Sequence, residues 1–440
     1  MKLFYSLIIL FFFCSCSFDN KTGIWINEDE PQAKDQLFKD FETLISKNST
    51  FDKIIDLNEN FEFKLSQPID NYNWKDIFFS KTNNYQNFRY LEKNEILLKS
   101  KKITKHKSID YILFENDNII TSDQKGNIKI FSTKNKKIIN EFNFYKKRYK
   151  RIKKSLNIIV DNNILFISDN LGYLYSYNYK TDKILWAKNY KVPFRSNLKL
   201  SNNKLILADQ NNNLVFINKE NGENIKLIPT EETSIQNQFI NNLSLNDNSV
   251  IFLNTYGSLY SINLDSLRIN WFINLNQSFD LNPSNLFDGS KVVSHNGKIY
   301  VSSSYFTYVI DANVGSVIYK FNFSSKIKPI ILDNYLFLIS KKNLLISMDL
   351  IKGEVIYSYD INNKISELLN TKKKKAQFKN IFIVNSNIFI FSNNSHILKF
   401  DIRGNLKKIE KLKFKMKTHP IFINSTMMYL SLNDRLIILS

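Results

Sequence analysis

The chain of 440 residues is poor in cysteine, glycine and histidine, and each shortage excludes a class of site. Its two cysteines, Cys14 and Cys16, both follow an N-terminal apolar run, which leaves the rest of the chain without a disulfide or a cysteine-ligated metal. The ten glycines form no phosphate-binding loop, and the four histidines have no carboxylate or cysteine partner at a recognised spacing. GxSxG and HExxH motifs are also missing. The sequence therefore predicts no catalytic, cofactor-binding or metal site.

What the chain does contain is one pattern, repeated. The stretch NILFISDNLGYLYSYNYKTDKILW, which ends at Trp186, reads as three short strands and their turns. With Gly172 as the register mark, equivalent positions recur at spacings of 38 to 52 residues: Gly126, Gly172, Asn212, Gly257, Tyr305, Asn343, Ser395 and Asp434. Strands this short cannot bury an apolar face alone, and the spacing is that of a four-stranded propeller blade.

Three further positions of the repeat carry recurrent residue types. A short polar residue that can form a tight turn stands six positions after the mark: Ser132, Asn178, Asn218, Asn263, Asp311, Asp349 and Asp401. Glycine follows at position ten in three copies, Gly222, Gly315 and Gly353, where the turn needs a positive φ. A large aromatic comes four residues later, as Trp186, Trp271, Tyr319 and Tyr357. We interpret the carboxylates as turn formers and predict that the aromatics pack between adjacent blades.

The last copy of the repeat, DRLIILS from Asp434, stops at Ser440 halfway through the unit. The segment FRYLEKNEILLKSKKI, residues 88–103, can supply the missing strands from the N-terminal side. Closing the ring in this way removes exposed sheet edges. We therefore predict an all-β fold, an eight-bladed β-propeller of four-stranded antiparallel blades over residues 76–440, closed by N- and C-terminal strands. An open β-solenoid is the alternative.

The formal charge of +20 raises the question of a nucleic-acid partner. The basic residues are scattered apart from two runs between blades, KKRYKRIKK (Lys146 to Lys154) and KKKK (Lys372 to Lys375). No aromatic-interleaved RNA-binding motif accompanies them. We interpret both runs as solvated loops and predict no nucleic-acid partner; contact with anionic lipid or nucleic acid is the alternative.

The N-terminus indicates the compartment. Met1 and Lys2 precede an apolar run from Leu3 to Phe13 that is too short to span a membrane and is typical of a secretory signal. The junction FCSCS resembles a lipoprotein signal in which Cys16 becomes the acylated first mature residue, and Ser17 resembles the pattern for outer-membrane sorting. Ordinary signal cleavage is the alternative. The sequence predicts a signal peptide over 1–15 and a lipidated tether over 16–75 with one short amphipathic helix.

The repeats resemble the G-x-L-Y-x-x-D-x-x-T-G-x-x-x-W units of pyrroloquinoline-quinone-type propellers across residues 88–440. In that superfamily the cofactor pocket of the quinone-dependent dehydrogenases needs a tryptophan floor and a calcium-binding acid set, and it typically has a vicinal disulfide. The mature chain expected here cannot form that disulfide. The BamB family instead comprises lipid-anchored, non-catalytic, eight-bladed subunits of the outer-membrane β-barrel assembly machinery. The segment NWKDIFFSKTNNYQNFRY, which begins at Asn73, resembles the Trp-led lead-in of that family.

The resemblance implies a scaffold on the periplasmic face of the outer membrane, lipid-anchored, monomeric within its complex and without a cofactor. A quinone-dependent or other ligand-binding periplasmic enzyme is the alternative. The family docks on the POTRA domains of BamA, alongside other subunits, through inter-blade loops, one of which carries an apolar-x-apolar-Arg motif. VPFRSNLKL presents Val192, Phe194 and Arg195 at the matching place. The family's second, acidic patch has Asn241 and Asn242 here. The alternative is that Phe194 caps the core and Arg195 is solvated.

Overall fold

The computed structural model describes residues 51–145, 149, 151–232, 241–275 and 287–440. These residues form eight β-sheets arranged as the blades of a ring, each with four antiparallel strands. One parallel strand, β1 (Asn87–Phe88), joins the seventh sheet. The predicted eight-bladed all-β propeller is confirmed.

The strands of each blade run in sequence from the axis outward. Blades 1 and 2 contain β3 (Leu113–Glu115), β4 (Asn118–Ser122), β5 (Asn127–Ser132), β6 (Lys137–Asn143), β7 (Leu156–Asp161), β8 (Ile164–Asp169), β9 (Tyr173–Asn178) and β10 (Lys183–Asn189). Blades 3 and 4 contain β11 (Lys199–Ser201), β12 (Lys204–Ala208), β13 (Leu214–Asn218), β14 (Asn224–Ile228), β15 (Asn242–Asn246), β16 (Ser249–Leu253), β17 (Ser258–Asn263) and β18 (Ile269–Asn274).

The second half of the ring repeats this order until the last blade. Blades 5 and 6 contain β19 (Val293–His295), β20 (Lys298–Ser302), β21 (Thr307–Asp311), β22 (Val317–Phe321), β23 (Ile330–Leu332), β24 (Tyr335–Ile339), β25 (Leu344–Asp349) and β26 (Glu354–Asp360). Blade 7 contains β27 (Phe378–Val384), β28 (Asn387–Ser392), β29 (His396–Phe400) and β30 (Leu406–Lys411). Blade 8 contains β31 (Ile421–Ile423), β32 (Thr426–Leu430), β33 (Arg435–Leu439) and, outermost, β2 (Ile96–Lys102).

Strand β2 closes the ring. It pairs antiparallel with the C-terminal strand β33, with Ile96 opposite Leu439 and Lys99 opposite Ile437. The last blade is thus completed by a strand from the N-terminal side, as predicted. This arrangement ties the two ends of the propeller together and leaves no gap in the ring.

The repeated residues act in the turns as predicted. Seven of the eight register marks adopt a left-handed backbone between the second and third strands: Gly126, Gly172, Asn212, Gly257, Asn343, Ser395 and Asp434. In the next turn, Asn178 Oδ1 accepts the backbone N–H groups of Lys180 and Thr181, both at 3.0 Å. Asp311 does the same for Asn313 and Val314. The recurrent carboxylates are therefore turn formers.

The recurrent aromatics pack between blades. Trp186 of blade 2 covers Gly222 in blade 3, and its Nε1 donates to the Lys219 carbonyl oxygen at 2.9 Å. Trp271 repeats the arrangement on Gly315 of blade 5. Tyr319 covers Gly353 in the same way, and Tyr359 together with Tyr357 covers Gly404. A register shift between the third and fourth strands recurs in blades 1 to 7 and precedes these aromatics.

Residues 51–75 differ from the predicted tether, because they lie against the ring. Ile55 exchanges backbone hydrogen bonds with Ser358 at the outer edge of blade 6, and Phe63 packs on Tyr335 with ring centroids 4.9 Å apart. The one helix of the described chain, α1 (Ile361–Leu369), follows blade 6 and is capped by Asp360. The apolar side chains of residues 51–65 that pack on the ring, such as Phe61 and Leu65, are only partly buried.

The predictions for the first 50 residues lie outside the described part of the chain. They are the signal peptide over 1–15, acylation of Cys16 and, in the tether, the short amphipathic helix expected from the helical spacing of Leu37, Phe41 and Leu44.

Candidate functional site

Residues 69–91, here called the axial plug, occupy the centre of the ring. Backbone or side-chain hydrogen bonds and one ion pair join the plug to the inner strand of every blade, or to the residue that follows it. The partners are Trp74 with Phe114, Lys75 with Val160, Asp76 with Lys199, Lys81 with Leu245, Thr82 with Ser294, Asn84 with Ile331, Phe88 with Asn385, and Asn71 with Asn424. The axial channel of the propeller is therefore filled by the chain itself.

Two asparagines of the plug satisfy backbone groups that the short inner strands leave open. The side-chain amide of Asn83 donates to the carbonyl oxygens of Leu243 at 2.9 Å and Val292 at 2.7 Å. Asn84 donates to the Ile331 carbonyl oxygen at 2.7 Å and accepts from the Ile331 N–H at 3.1 Å. A buried backbone group without a partner costs about 1–3 kcal/mol, so these contacts hold the plug in one position.

A fully enclosed ion pair fixes the plug to blade 3. Lys199 Nζ lies 2.6 Å from Asp76 Oδ2 and also donates to the Ser80 carbonyl oxygen and Asn83 Oδ1. Burial lowers the pKa of Lys199, and the neighbouring Asp76 carboxylate opposes that shift. All three hydrogen bonds of the ammonium group are thus made inside the protein, which is the condition for a buried charge to be tolerated.

Aromatic side chains fill the remaining volume of the axis. Tyr85 stacks on Phe382 with centroids 4.5 Å apart, and Phe88 stacks on Phe422 at 5.6 Å. Trp74 packs against Phe88 at 5.6 Å and is almost fully buried. This cluster excludes water and leaves the centre of the ring as apolar core.

The predicted docking residues lie on the face of the ring where the inner strands begin. Val192 and Arg195 are partly exposed on the loop between β10 and β11, but Phe194 is only 3% exposed and packs on Tyr190 with centroids 5.5 Å apart. Burial lowers the pKa of the Arg195 guanidinium. Phe194 therefore caps the core, which is the alternative stated above for that residue, and it presents no apolar area to a partner in this conformation.

Asn241 and Asn242 are enclosed beside the same loop. Asn241 is 1% exposed, donates to the Asp209 carbonyl oxygen at 3.0 Å and forms a parallel bridge with Ser196. Asn242 is 0% exposed at the start of β15. The structure brings both close to the Val192–Arg195 loop through this bridge, but their side chains face the interior. A carboxylate is not required at either position for that packing.

The histidines are dispersed around the ring. His419 is partly buried, stacks on Tyr111 with centroids 4.6 Å apart and is hydrogen-bonded to Asn380. Burial and the nearby lysines lower the pKa of His419 to about 3. Within the described ranges, no group of three His, Cys, Asp or Glu side chains could hold a metal ion. In the same ranges no helix has the length and apolarity needed to cross a membrane.

The sequence indicated that the segment beginning at Asn73 precedes the propeller, but it did not predict that this segment lies in the axis as part of the axial plug. The signal available was the polar run that contains Asp76, Asn83 and Asn84 next to aromatic residues. Such a run is typical of a loop, and only the eight inner strands, which come from distant parts of the chain, show where its hydrogen bonds are made.

Comparison with known proteins agrees with this architecture. The chain matches BamB from Moraxella catarrhalis with a TM-score of 0.60 at 14% identity, over 78% of this chain and 100% of that one. It matches the computationally designed Ika8 protein at 0.58 and 11% identity, over 78% of this chain and 99% of that one. Quinohemoprotein alcohol dehydrogenase from Comamonas testosteroni matches at 0.59 and 9% identity, over 81% and 76%. At these identities the likeness shows the fold alone.

No curated protein sequence matches the chain. A family profile, described as outer membrane protein assembly factor BamB, matches residues 124–359. This range is more than half of the chain and runs from the third strand of blade 1 to the last strand of blade 6. The match shows that this chain belongs to the BamB family.

Proposed function

We propose that the protein is a non-catalytic scaffold of the outer-membrane β-barrel assembly machinery that docks on POTRA domains of a BamA-like partner. The observation that carries the proposal is the axial plug. It fills the central channel with packed aromatic rings and hydrogen bonds to all eight blades, so the ring is a rigid platform for its loops. Family membership supports the same role.

The docking surface we propose consists of the exposed parts of Val192 and Arg195. Phe194 supports them from below: its N–H donates to the Asp169 carbonyl oxygen at 3.0 Å, and its ring packs on Tyr190. An arginine beside a small apolar group, held on a rigid loop, suits a protein contact because little conformational entropy is lost on binding. Asn241 and Asn242 contribute through the packing of the loop.

Co-purification with the partner tests this surface. We expect Val192→Ala combined with Arg195→Glu to weaken binding by about thirtyfold, the typical cost of losing a hot spot of about 2 kcal/mol. The melting temperature should be unchanged, because both side chains are partly exposed. Arg268→Glu, a charge reversal in the exposed turn between β17 and β18, is the matched control and should bind normally. Equal binding by both variants would place the docking surface elsewhere.

The likeness to a quinohemoprotein alcohol dehydrogenase makes quinone binding the competing function. The proposal expects no saturable binding when pyrroloquinoline quinone and calcium are added to the purified protein, because the plug occupies the axis. Saturable quinone binding that quenches the fluorescence of Trp74 would overturn the proposed role.

We also propose that Cys16 carries a lipid and that the protein lies on the periplasmic face of the outer membrane. The junction before Cys16 and the family of the propeller support this location.

A further inference from the structure

Eight equivalent residues, one from each blade, line the entrance to the axial channel on the face of the ring where the inner strands begin. Each is the residue four places before the end of its inner strand. In blade order, these residues, here called the entrance ring, are Tyr111, Asn157, Asn197, Asn242, Lys291, Lys328, Asn380 and His419. Every member is polar or can form a hydrogen bond, although the strands that follow are largely apolar.

A cavity of about 390 Å³ opens at this entrance. Four members of the entrance ring line it: Tyr111, Asn157, Asn197 and Lys291. Ile77 and Phe78 of the axial plug also line it, and Lys107, Lys153, Lys154 and Asp110 are among the other lining residues. Its volume is in the range of small-molecule sites, and it has both an apolar floor and polar walls.

The charge in this cavity is strongly unbalanced. Its lining holds four lysines and one carboxylate, that of the exposed Asp110. An adjoining depression of about 610 Å³ shares Lys107 and Asp110 and adds Lys379. A cluster of cations in a concave, partly dry surface concentrates anions from solution.

The buried lysines near the axis have partners within the protein. Lys199 pairs with Asp76, and Lys417 pairs with Asp434 at 2.7 Å. Lys328 donates to the carbonyl oxygens of Phe78 and Asn83 and lies over the Tyr85 ring, 3.2 Å from its centroid. In the cavity lining, Lys154 donates to the Tyr149 carbonyl oxygen.

Lys291 differs from them. Among the described residues no carboxylate forms an ion pair with its Nζ, which lies 5.8 Å from the centroid of the Phe78 ring. Burial lowers the pKa of Lys291 to about 8. The positive charges of Lys291, Lys328 and Lys379 also help to hold the pKa of His419 down. An anion in the cavity would offset this concentration of charge.

We propose that the entrance cavity binds a small phosphate-bearing anion, held by Lys291 in the wall and by Lys107 and Lys153 nearby. Lysine binds phosphate as a point charge. Three lysines balance the charge of a phosphate dianion better than they would balance that of a singly charged carboxylate ligand. The side-chain amide of Asn157, which lines the same cavity, can donate to a phosphate oxygen. The phosphate group could belong to a free phosphomonoester or to a lipid headgroup. This inference does not rest on the proposed docking function.

The test is calorimetric titration of the full chain with inorganic phosphate and with glycerol 3-phosphate at low ionic strength. We expect saturable binding of both, weakened about tenfold by Lys291→Gln, the usual effect of losing one charge-assisted hydrogen bond. Lys352→Gln, which changes an exposed lysine in the turn between β25 and β26, is the matched control and should bind as the unchanged protein does. Lys107→Gln combined with Lys153→Gln alters only exposed side chains and should also weaken binding.

A second readout is the titration of the Lys291 side chain by NMR, where bound phosphate should raise its pKa from about 8. Vesicles of phosphatidylglycerol, with phosphatidylcholine as reference, distinguish the source of the phosphate. Competition between these vesicles and glycerol 3-phosphate would assign the site to a headgroup; binding of the free anions alone would assign it to a soluble ligand. Absence of saturable phosphate binding, or equal binding by Lys291→Gln, would overturn the proposal.

Discussion

At the scale of single residues, contact between blades depends on glycines that face an aromatic ring of the neighbouring blade. Gly315 has a φ of 75°, and a Cβ added there would lie 2.5 Å from Cδ2 of Trp271. Because the ring is fixed by its hydrogen bond to the Ala312 carbonyl oxygen, it cannot move aside without loss.

We expect Gly315→Ala to lower the free energy of unfolding by about 3 kcal/mol or more, through backbone strain together with overpacking. Gly297→Ala is the matched control, because Gly297 has a φ of 69° but an added Cβ there meets nothing within 4 Å. That change should cost only about 1–2 kcal/mol. Denaturant unfolding measures both; equal losses would show that the Trp271 contact contributes nothing.

His419 makes stability depend on pH. Its pKa is about 3 in the folded protein because it is partly buried near Lys379, Lys328 and Lys291. An unfolded histidine has a pKa of about 6.5, so between these values the unfolded chain binds a proton that the folded chain does not. The free energy of unfolding should therefore fall as the pH decreases from about 6.5 towards 3, by at most about 1.4 kcal/mol per pH unit.

The check is the pH dependence of unfolding in His419→Gln, which should be shallower than that of the unchanged protein over this window. His106→Gln, at an exposed position, should keep the original slope. A slope unaffected by His419→Gln would contradict the assignment.

At the scale of elements, the axial plug depends on the enclosed pair between Asp76 and Lys199. Asp76→Asn leaves the Lys199 ammonium group in the interior without its counter-charge, which we expect to cost about 3–5 kcal/mol. Adding Lys199→Met removes the unpaired buried charge and should recover part of that loss; the recovery is partial because the Ser80 carbonyl oxygen and Asn83 Oδ1 lose their donor. Equilibrium unfolding measures the cycle. If the double variant is no more stable than Asp76→Asn, the loss of stability in Asp76→Asn does not come from the unpaired charge of Lys199.

The closing strand is the second element on which the ring depends. A chain that ends at Leu432 lacks β33, whose four buried apolar residues, Leu436 to Leu439, lie between β32 and β2. Their loss should lower the free energy of unfolding by about 6 kcal/mol or more, and it exposes two strand edges. Thermal melting should show an early, less cooperative transition. Removal of Ser440 alone is the control and should have a small effect; equal melting of both truncations would contradict closure through β33.

At the scale of the whole molecule, the proposed location depends on Cys16. We expect Cys16→Ala to release the protein from membranes or to leave it unprocessed, because no acyl chain can be attached. Membrane fractionation and the mass of the N-terminal peptide measure the outcome. Cys14→Ala is the matched control, since Cys14 precedes the proposed cleavage site, and it should stay membrane-bound. Unchanged attachment and processing of Cys16→Ala would contradict lipidation.

The candidate site was predictable only in part. The repeat indicated which loop carries Val192 and Arg195, because loops between blades recur at a known interval. The sequence left burial of Phe194 open as the alternative, and the burial of Asn241 and Asn242 was not predictable, since each is covered by residues from other strands. The entrance ring was not predictable either. Its members occupy equivalent positions in the blades but differ in residue type, for example Tyr111 and Lys328.

The sequence by itself determined the number of blades, the turns and the partial last unit, because these follow from local patterns: alternation along a strand, turn residues at a fixed offset, and a repeat that stops halfway. Tertiary structure alone decided the course of residues 51–91. They contain no repeat, and their partners lie in all eight blades, as far away in sequence as Asn424. A segment held in place mainly by hydrogen bonds to distant strands has no local periodicity to reveal it, so its place in the axis emerges only when the ring has formed around it.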